Sequence, residues 1–230
     1  MKIGIIFAME EELNALKKYL EITNEFKIFD LKFYESKVNN ITCILVQSGI
    51  GKVNSARTTQ ILIDNMKVDY VFNIGVAGGI DENLNVGDVV IGTSLVQHDF
   101  DITAFNHEKG FIPNLGTFIQ ADEYLVRTIK EIDNKLKSGV IASGDIFCTD
   151  INMSKKIHNK FNALCVEMEG ASVAQVCYLC SIPFLIIRSI SDTPNNNNAV
   201  MFDEFLEIAS NKVAEIMMKL IEKLDKENVK

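Results

Sequence analysis

An apolar run, Ala163 to Val166, stops at Glu167-Met168-Glu169-Gly170, and a helix-like stretch from Ala171 to Cys180 follows at once. A buried strand that ends in acids and passes directly into a helix is the repeating joint of an α/β sheet, and ligands in such sheets sit beyond the carboxyl ends of the strands. Glu167 and Glu169 are two apart, so they would point the same way if strand conformation continued that far. The plainer reading is a pair of acids favoured by the dipole at a helix N-terminus. On this stretch alone both readings stay open. A second stretch adds weight to the first: Ile186-Ile187-Arg188-Ser189-Ile190-Ser191-Asp192 also closes an apolar strand with polar groups.

The same joint recurs along the chain. Lys2 to Ala8 is a short apolar run with the look of a buried parallel strand, and Met9 with Glu10, Glu11 and Glu12 opens a helix to about Leu20. Dipole stabilisation accounts for Glu10 and Glu11. Phe26 to Gln47 reads as a hairpin or meander broken at Asn39-Asn40, ending in the strand Ile41 to Gln47. Ser48-Gly49-Ile50-Gly51-Lys52 invites a phosphate-loop reading. It lacks the first glycine of that motif and places Val53 where Ser or Thr should bind magnesium, so it reads as a close backbone approach to a ligand.

A helix from Val53 to Met66 and a strand from Asp69 to Ile74 lead to the glycine-rich loop Gly75 to Gly79. From Val86 the chain reads as strand again with no helix before it, which makes the middle of the chain mixed. Ile102 to Pro113 is irregular, with exposed-looking Phe105 and Phe111, and suggests a lid or a subunit contact. Helices are expected over Asp122 to Leu136, Met153 to Phe161 and Phe202 to Leu224, and strands over Ser138 to Ala142 and Phe184 to Ile190. Thr193 to Asn198 is a short polar loop. No repeat or domain boundary divides the chain, which is expected to form one domain, 1–230.

Composition narrows the function. A formal net charge of −8 disfavours nucleic acid and anionic lipid, because either would approach against repulsion. The apolar start is too short for a signal or membrane segment, and the chain is expected in the cytoplasm. Five cysteines in mainly apolar surroundings are expected as reduced core thiols. Cys177 and Cys180 have redox spacing but close a helix, whereas the redox motif opens one, so core packing is the better reading. His98, His107 and His158 show no metal-ligand spacing, and neither metal nor cofactor is implied.

Read together, MKIGIIFAMEEE (1–12), SGIGKV (48–53), AGG (77–79), VGDVV (86–90), DITAF (101–105), SGD (143–145) with Phe147, VEMEG (166–170), RSISD (188–192) and FDEFL (202–206) are similar in order and spacing to the 5'-methylthioadenosine/S-adenosylhomocysteine nucleosidases of the purine nucleoside phosphorylase superfamily. The resemblance implies an α/β fold of the nucleoside phosphorylase type, three layers (α/β/α) around a central twisted mixed sheet. It also implies a homodimer that cleaves adenine from 5'-thio-substituted adenosines.

By position, Asp192 would be the acid at adenine N7, with Ser191 beside it. Glu12 would activate the attacking water, Glu169 would hold the ribose hydroxyls, and Arg188 would order the water and Glu12. Met168 would pack on the ribose, Phe147 would stack on adenine, and the Cys148 backbone would meet its Watson–Crick edge. Met9, Ile50 and Phe202, with Ile102, Phe105 and Pro113 of the partner subunit, would line the thioalkyl pocket. Ala8, Val76, Ala77, Gly78 and Glu167 complete the expected binding set. Where many members of that family carry Ser before AGG, this chain has Val76, which removes a hydroxyl near the water.

The chemistry asks for acids tuned apart. Breaking the ribose–adenine bond leaves negative charge on the purine and positive charge on the sugar. Asp192 must therefore hold a proton near neutral pH, whereas Glu12 must be ionised. The plain alternatives are an Asp192 that caps a turn and a Glu12 on the helix dipole. Two other functions remain open at this level: a non-catalytic nucleoside-binding protein, which would be expected to lack Glu12 or Asp192, and a phosphorolytic or futalosine-type enzyme.

Overall fold

The computed structural model describes residues 1–193 and 198–228. Its centre is a mixed sheet. β1 (Lys2–Phe7), β4 (Ile41–Gln47) and β5 (Tyr70–Gly79) run parallel, and β2 (Ile22–Ile28) and β3 (Leu31–Val38) continue from β4 as an antiparallel meander. On its other edge β5 pairs in parallel with β10 (Phe184–Asp192), which pairs antiparallel with β6 (Val89–Gln97). Next to β6 lies β8 (Lys137–Ser143), then β9 (Ala163–Glu167), and β9 returns to β5 at Gly78 and Gly79. Strands β5, β10, β6, β8 and β9 thus close into a ring, with a short β7 (Ile119–Gln120) on β6.

This ring divides one edge of β5 between two partners. β1 covers it as far as Asn73 and β9 takes over at Gly78, so the edge between them has no strand neighbour. Parallel strands buried on both faces are continuous apolar runs, and β1 and β10 fit that rule, since every residue of β10 is buried. One helical layer contains α1 (Glu10–Lys17), α3 (Glu123–Lys130) and the long α6 (Asn198–Asn228); α2 (Lys52–Ile61) packs on α5 (Gly170–Leu179) in another, and α4 (Ile151–Phe161) lies against β8 and β9. Among the described residues, no helix is long and apolar enough to cross a membrane.

Several boundaries differ from those the sequence suggests. Gly75 to Gly79 is the second half of β5 instead of a loop, because β10 and β9 supply its hydrogen-bonding partners. Helix α3 is shorter than expected, and the Asp133 carboxylate accepts the Lys135 N–H (2.9 Å) in the turn that follows it. Helix α2 passes at Leu62 into a π-helical turn that ends on Lys67 in the left-handed region. Phe111 is half-buried and stacks on His107 at 4.7 Å, whereas Phe105 is exposed as expected. None of the five cysteines is in a disulfide and only Cys180 is more than slightly accessible, in keeping with core thiols. The loop expected from Thr193 to Asn198 lies mostly outside the described residues.

Candidate active site

The cavity opens at the gap between β1 and β9, with a volume of about 90 Å3. Ala8 and Met9 enter it from the end of β1, and Val76, Ala77 and Gly78 from β5. Val166, Glu167, Met168 and Glu169 come from the end of β9, and Ser191 and Asp192 from β10. Ile50, Ile146, Phe147, Cys148 and Phe202 close the apolar side, where the Phe147 and Phe202 rings meet edge-on at 5.6 Å. Every residue expected from this chain's own half of the site is brought together except Arg188.

Glu12 stands on the first turn of α1, turned back into the gap. Its Oε2 accepts the Ala8 and Met9 N–H groups, each at 3.0 Å, and its Oε1 accepts the Val76 N–H at 3.0 Å from the unpaired edge of β5. The fit is close: a Cβ on Gly75 would lie 2.4 Å from Glu12 Oε1, so only glycine leaves room for the carboxylate. Burial raises the pKa of Glu12, opposed by Arg188 and the three N–H donors. Those donors and the guanidinium favour the charged form a base needs, and the raised pKa makes that form the stronger base.

Asp192 lies at the end of β10 and is 2 % exposed. Opposite β5, Ile190 pairs with Ala77 and Asp192 with Gly78, so Ser191 is an extra residue. Such a bulge re-aims side chains beside a site, and both Ser191 and Asp192 consequently face the cavity. Ser191 Oγ donates to Asp192 Oδ1 at 2.8 Å. Burial raises the pKa of Asp192, with only the Ser191 hydroxyl opposing it. Two acids of one cavity therefore sit in unlike surroundings, Glu12 among donors and Asp192 with one neutral hydroxyl.

Strand β9 ends at Glu167, so Glu167 and Glu169 do not point together as a continued strand would have them. Glu169 is the N-cap of α5, and its Oε1 accepts the Gly51 N–H at 2.8 Å. This also places the SGIGK stretch: the Gly51 N–H serves a protein carboxylate. Burial, and then the Glu167 charge, push Glu169 up to about 8. Glu167 turns inward instead. Its Oε1 accepts the Ser143 hydroxyl, and its Oε2 accepts the Glu169 and Gly170 N–H groups (3.1 and 2.7 Å) and the Arg188 guanidinium. With both oxygens engaged in this way, Glu167 anchors the wall.

Arg188 is 1 % exposed and stands behind that wall. Its Nη1 donates to the Asn73 and Ile187 carbonyls (3.1 and 3.2 Å), and its Nη2 to the Asn73 side chain and Glu167. Glu169 Oε2 lies 3.9 Å from Nη2. Arg188 therefore reaches the cavity as a charge felt by Glu12, Glu167 and Glu169, without forming part of its surface. Sequence reasoning missed Asn73, Ser143, Ile146 and Val166. A lone amide between Phe72 and Ile74 in a buried strand was the available signal for Asn73, since such a group must find a partner; Ser143 and Val166 were quoted within the SGD and VEMEG motifs but given no role, and nothing marked Ile146.

Ile102, Phe105 and Pro113 do not line the cavity of the single chain. Phe105 ends a short 3-10 turn and is 75 % exposed. Among the described residues no cluster of His, Cys, Asp or Glu could hold a metal ion.

The mixed sheet closes on itself around an acid-lined cavity at its strand ends, and a family model described as the phosphorylase superfamily matches residues 2–222. A 5'-methylthioadenosine/S-adenosylhomocysteine nucleosidase of Glaesserella parasuis serovar 5 is 43 % identical over 226 residues, 96 % of this chain and 98 % of that one. Among solved structures, a mutant of the Helicobacter pylori nucleosidase with 5'-methylthioadenosine in its active site superposes with a TM-score of 0.93 at 37 % identity, covering 96 % of this chain and 98 % of that one. A mutant futalosine hydrolase of the same organism gives a TM-score of 0.94 at 36 % identity, covering 97 % and 99 %. The chain belongs to the 5'-methylthioadenosine/S-adenosylhomocysteine nucleosidase family of that superfamily.

Proposed function

We propose that this chain, as one domain, hydrolyses the N-glycosidic bond of 5'-thio-substituted adenosines. Its substrates are 5'-methylthioadenosine and S-adenosylhomocysteine, with 5'-deoxyadenosine beside them, and the products are adenine and the corresponding thioribose, or 5-deoxyribose from 5'-deoxyadenosine. The observation that carries this reading is the pair of unlike acids in one cavity, a donor-held Glu12 and a buried Asp192 that has no cationic partner among the described residues. In the reaction, the Asp192 proton goes to adenine N7 while the C1'–N9 electron pair leaves with the purine. Water adds its oxygen to C1' and gives a proton to Glu12. Glu169 holds the ribose hydroxyls, and Arg188 balances the charge of Glu12, Glu167 and Glu169.

The nucleophile is water. A site for reactant phosphate needs several cationic or forked donors, and among the described residues no Lys, Arg or His lines the cavity. The chain has three arginines: Arg57 pairs with Asp30 at the surface, Arg127 is outside the cavity, and Arg188 is spent on Asn73, Ile187 and Glu167. Val76 contributes only its N–H. Free adenine should therefore form from 5'-methylthioadenosine at a rate independent of added phosphate, and NMR of fresh product should show the inverted α-sugar. A sugar 1-phosphate and an obligatory phosphate requirement would move the chain to the phosphorylases. The likeness to futalosine hydrolase supports a second reading, and release of base from a futalosine-type nucleoside in the same assay would select it.

The working form is a homodimer with a small-molecule nucleoside as its ligand, and Ile102, Phe105 and Pro113 of the partner subunit complete the thioalkyl end. The exposed Phe105 supports this. Sedimentation should give a dimer at assay concentration, and a fully active monomer would refute it. A cytoplasmic location accompanies the reading, supported by five cysteines that form no disulfide.

A further inference from the structure

Helix α2 begins against the usual charge preference. Its first turn holds no acid and starts with Lys52, although positive charge is disfavoured at a helix N-terminus. The ammonium is folded away to Asp99 Oδ1 (2.6 Å) and Gln97 Oε1 (3.2 Å), in a pair less than one-fifth exposed. The other oxygen, Asp99 Oδ2, accepts the Asp145 N–H at 3.0 Å, and Asp145 Oδ1 accepts the Lys52 N–H at 2.8 Å. These contacts close a ring through three segments distant in sequence: the start of α2, the end of β6, and the loop that leaves β8.

On two sides of this ring the next residues belong to the cavity. Gly51, immediately before Lys52, donates its N–H to Glu169 Oε1. Ile146 and Phe147, immediately after Asp145, form the apolar wall. Gly51 has a φ of 102°, a conformation that favours glycine, and a Cβ there would lie 3.2 Å from Asp145 Oδ1. Any shift of Lys52 against Asp145 is therefore passed on to the donor of Glu169 and to the Phe147 wall.

We propose that Lys52 and Asp99 are positioning residues for substrate binding: their ion pair holds the Asp145 loop against α2, and so sets both the Gly51 N–H on Glu169 and the wall at Phe147. Neither residue lines the cavity, and their effect rests on the reading of Glu169 as the group that holds the ribose hydroxyls. A loosened clamp weakens ground-state and transition-state binding alike, which raises KM and leaves kcat nearly unchanged. A partly exposed ion pair contributes little to stability, whereas misplacing a binding group is felt strongly.

The test compares wild type with Lys52→Met, Asp99→Asn and the double variant on 5'-methylthioadenosine and its 3'-deoxy analogue, by turnover, with calorimetric Kd values taken on a non-cleavable counterpart of each. Each single variant should raise KM for 5'-methylthioadenosine, and Kd for its non-cleavable counterpart, about tenfold, the size expected for one charge-assisted hydrogen bond, with kcat within about threefold. The double variant should be no worse than the singles, because both break one ring. On the 3'-deoxy analogue the loss should shrink to about threefold or less, since part of what Glu169 holds is already absent. Unchanged KM and Kd in the single variants would overturn the proposal, as would an equal loss on both ligands. If Lys52→Met fails to fold, Asp99→Asn, which keeps an acceptor for the Asp145 N–H, decides the matter alone. A wild type that binds 5'-methylthioadenosine without releasing adenine refutes the hydrolytic reading, and the calorimetric arm still tests the ring.

Discussion

Asp192→Asn should lower adenine release from 5'-methylthioadenosine by about 100- to 10,000-fold, the range of a general-acid contribution, while leaving the Kd of a non-cleavable analogue within about threefold. Asn keeps the shape and an acceptor for Ser191 Oγ, but it has no proton to give. The pH profile provides a second check. Burial holds the Asp192 carboxyl protonated to higher pH than its ordinary value of 3.8, so wild-type turnover should decline as pH rises through the raised pKa. The residual activity of the variant should lack that alkaline limb. Wild-type stability declines over the same pH range. An acid whose folded pKa is raised costs stability as pH rises from its unfolded pKa to its folded one; Asn removes that slope, and the variant should melt no lower than wild type at pH 8. Turnover within about tenfold of wild type would remove Asp192 from the acid role.

Glu12→Gln should produce a similar loss of turnover, about 100- to 10,000-fold, for the opposite reason: the base that takes the water proton is gone. It should differ from Asp192→Asn in stability. Glu12 accepts one N–H on Oε1 and two on Oε2. An amide has a single acceptor oxygen, so in either orientation its NH2 faces at least one buried N–H. An unsatisfied buried donor costs about 1–3 kcal/mol. For a chain of this size each 1 kcal/mol is about 2–4 °C in Tm, so thermal unfolding should show a drop of about 2 °C or more. A variant with wild-type Tm and near-wild-type turnover would contradict both the donor arrangement and the base role.

The roles of these two acids were legible before any coordinates only through the family resemblance, although each stands at a change of pattern. Glu12 follows the apolar run Lys2 to Ala8, and Asp192 ends the run from Phe184; burial of a strand ties its side chains to a pattern that ends where the strand does. Glu169 also stands at such a change, just beyond the tip of β9, whereas Phe147 was singled out by the family resemblance alone. What stayed hidden was how distant segments meet. The closed ring of β5, β10, β6, β8 and β9 has no sequence marker, because pairing in a sheet depends on which edges are left open after the rest has packed. Arg188 was placed near the water by its motif, yet it lies behind Glu167, and Glu167 itself is consumed by Ser143, Arg188 and two N–H groups.

By itself the sequence determined the alternation of buried strands and amphipathic helices, the reduced state expected of its thiols, the acids at the strand ends and the family to which their order points. All of these depend on neighbours a few residues apart or on bulk composition and charge. Only the tertiary structure decided that β1 and β9 share one edge of β5 and leave Val76 free to hold Glu12. It also decided that a bulge at Ser191 turns Asp192 into the cavity, and that Lys52, Asp99 and Asp145 close a ring over Gly51. The reason is physical: a side chain's intrinsic preference acts over one or two turns of backbone, whereas strand register and buried polar pairing are settled by close packing among segments that sequence order keeps far apart.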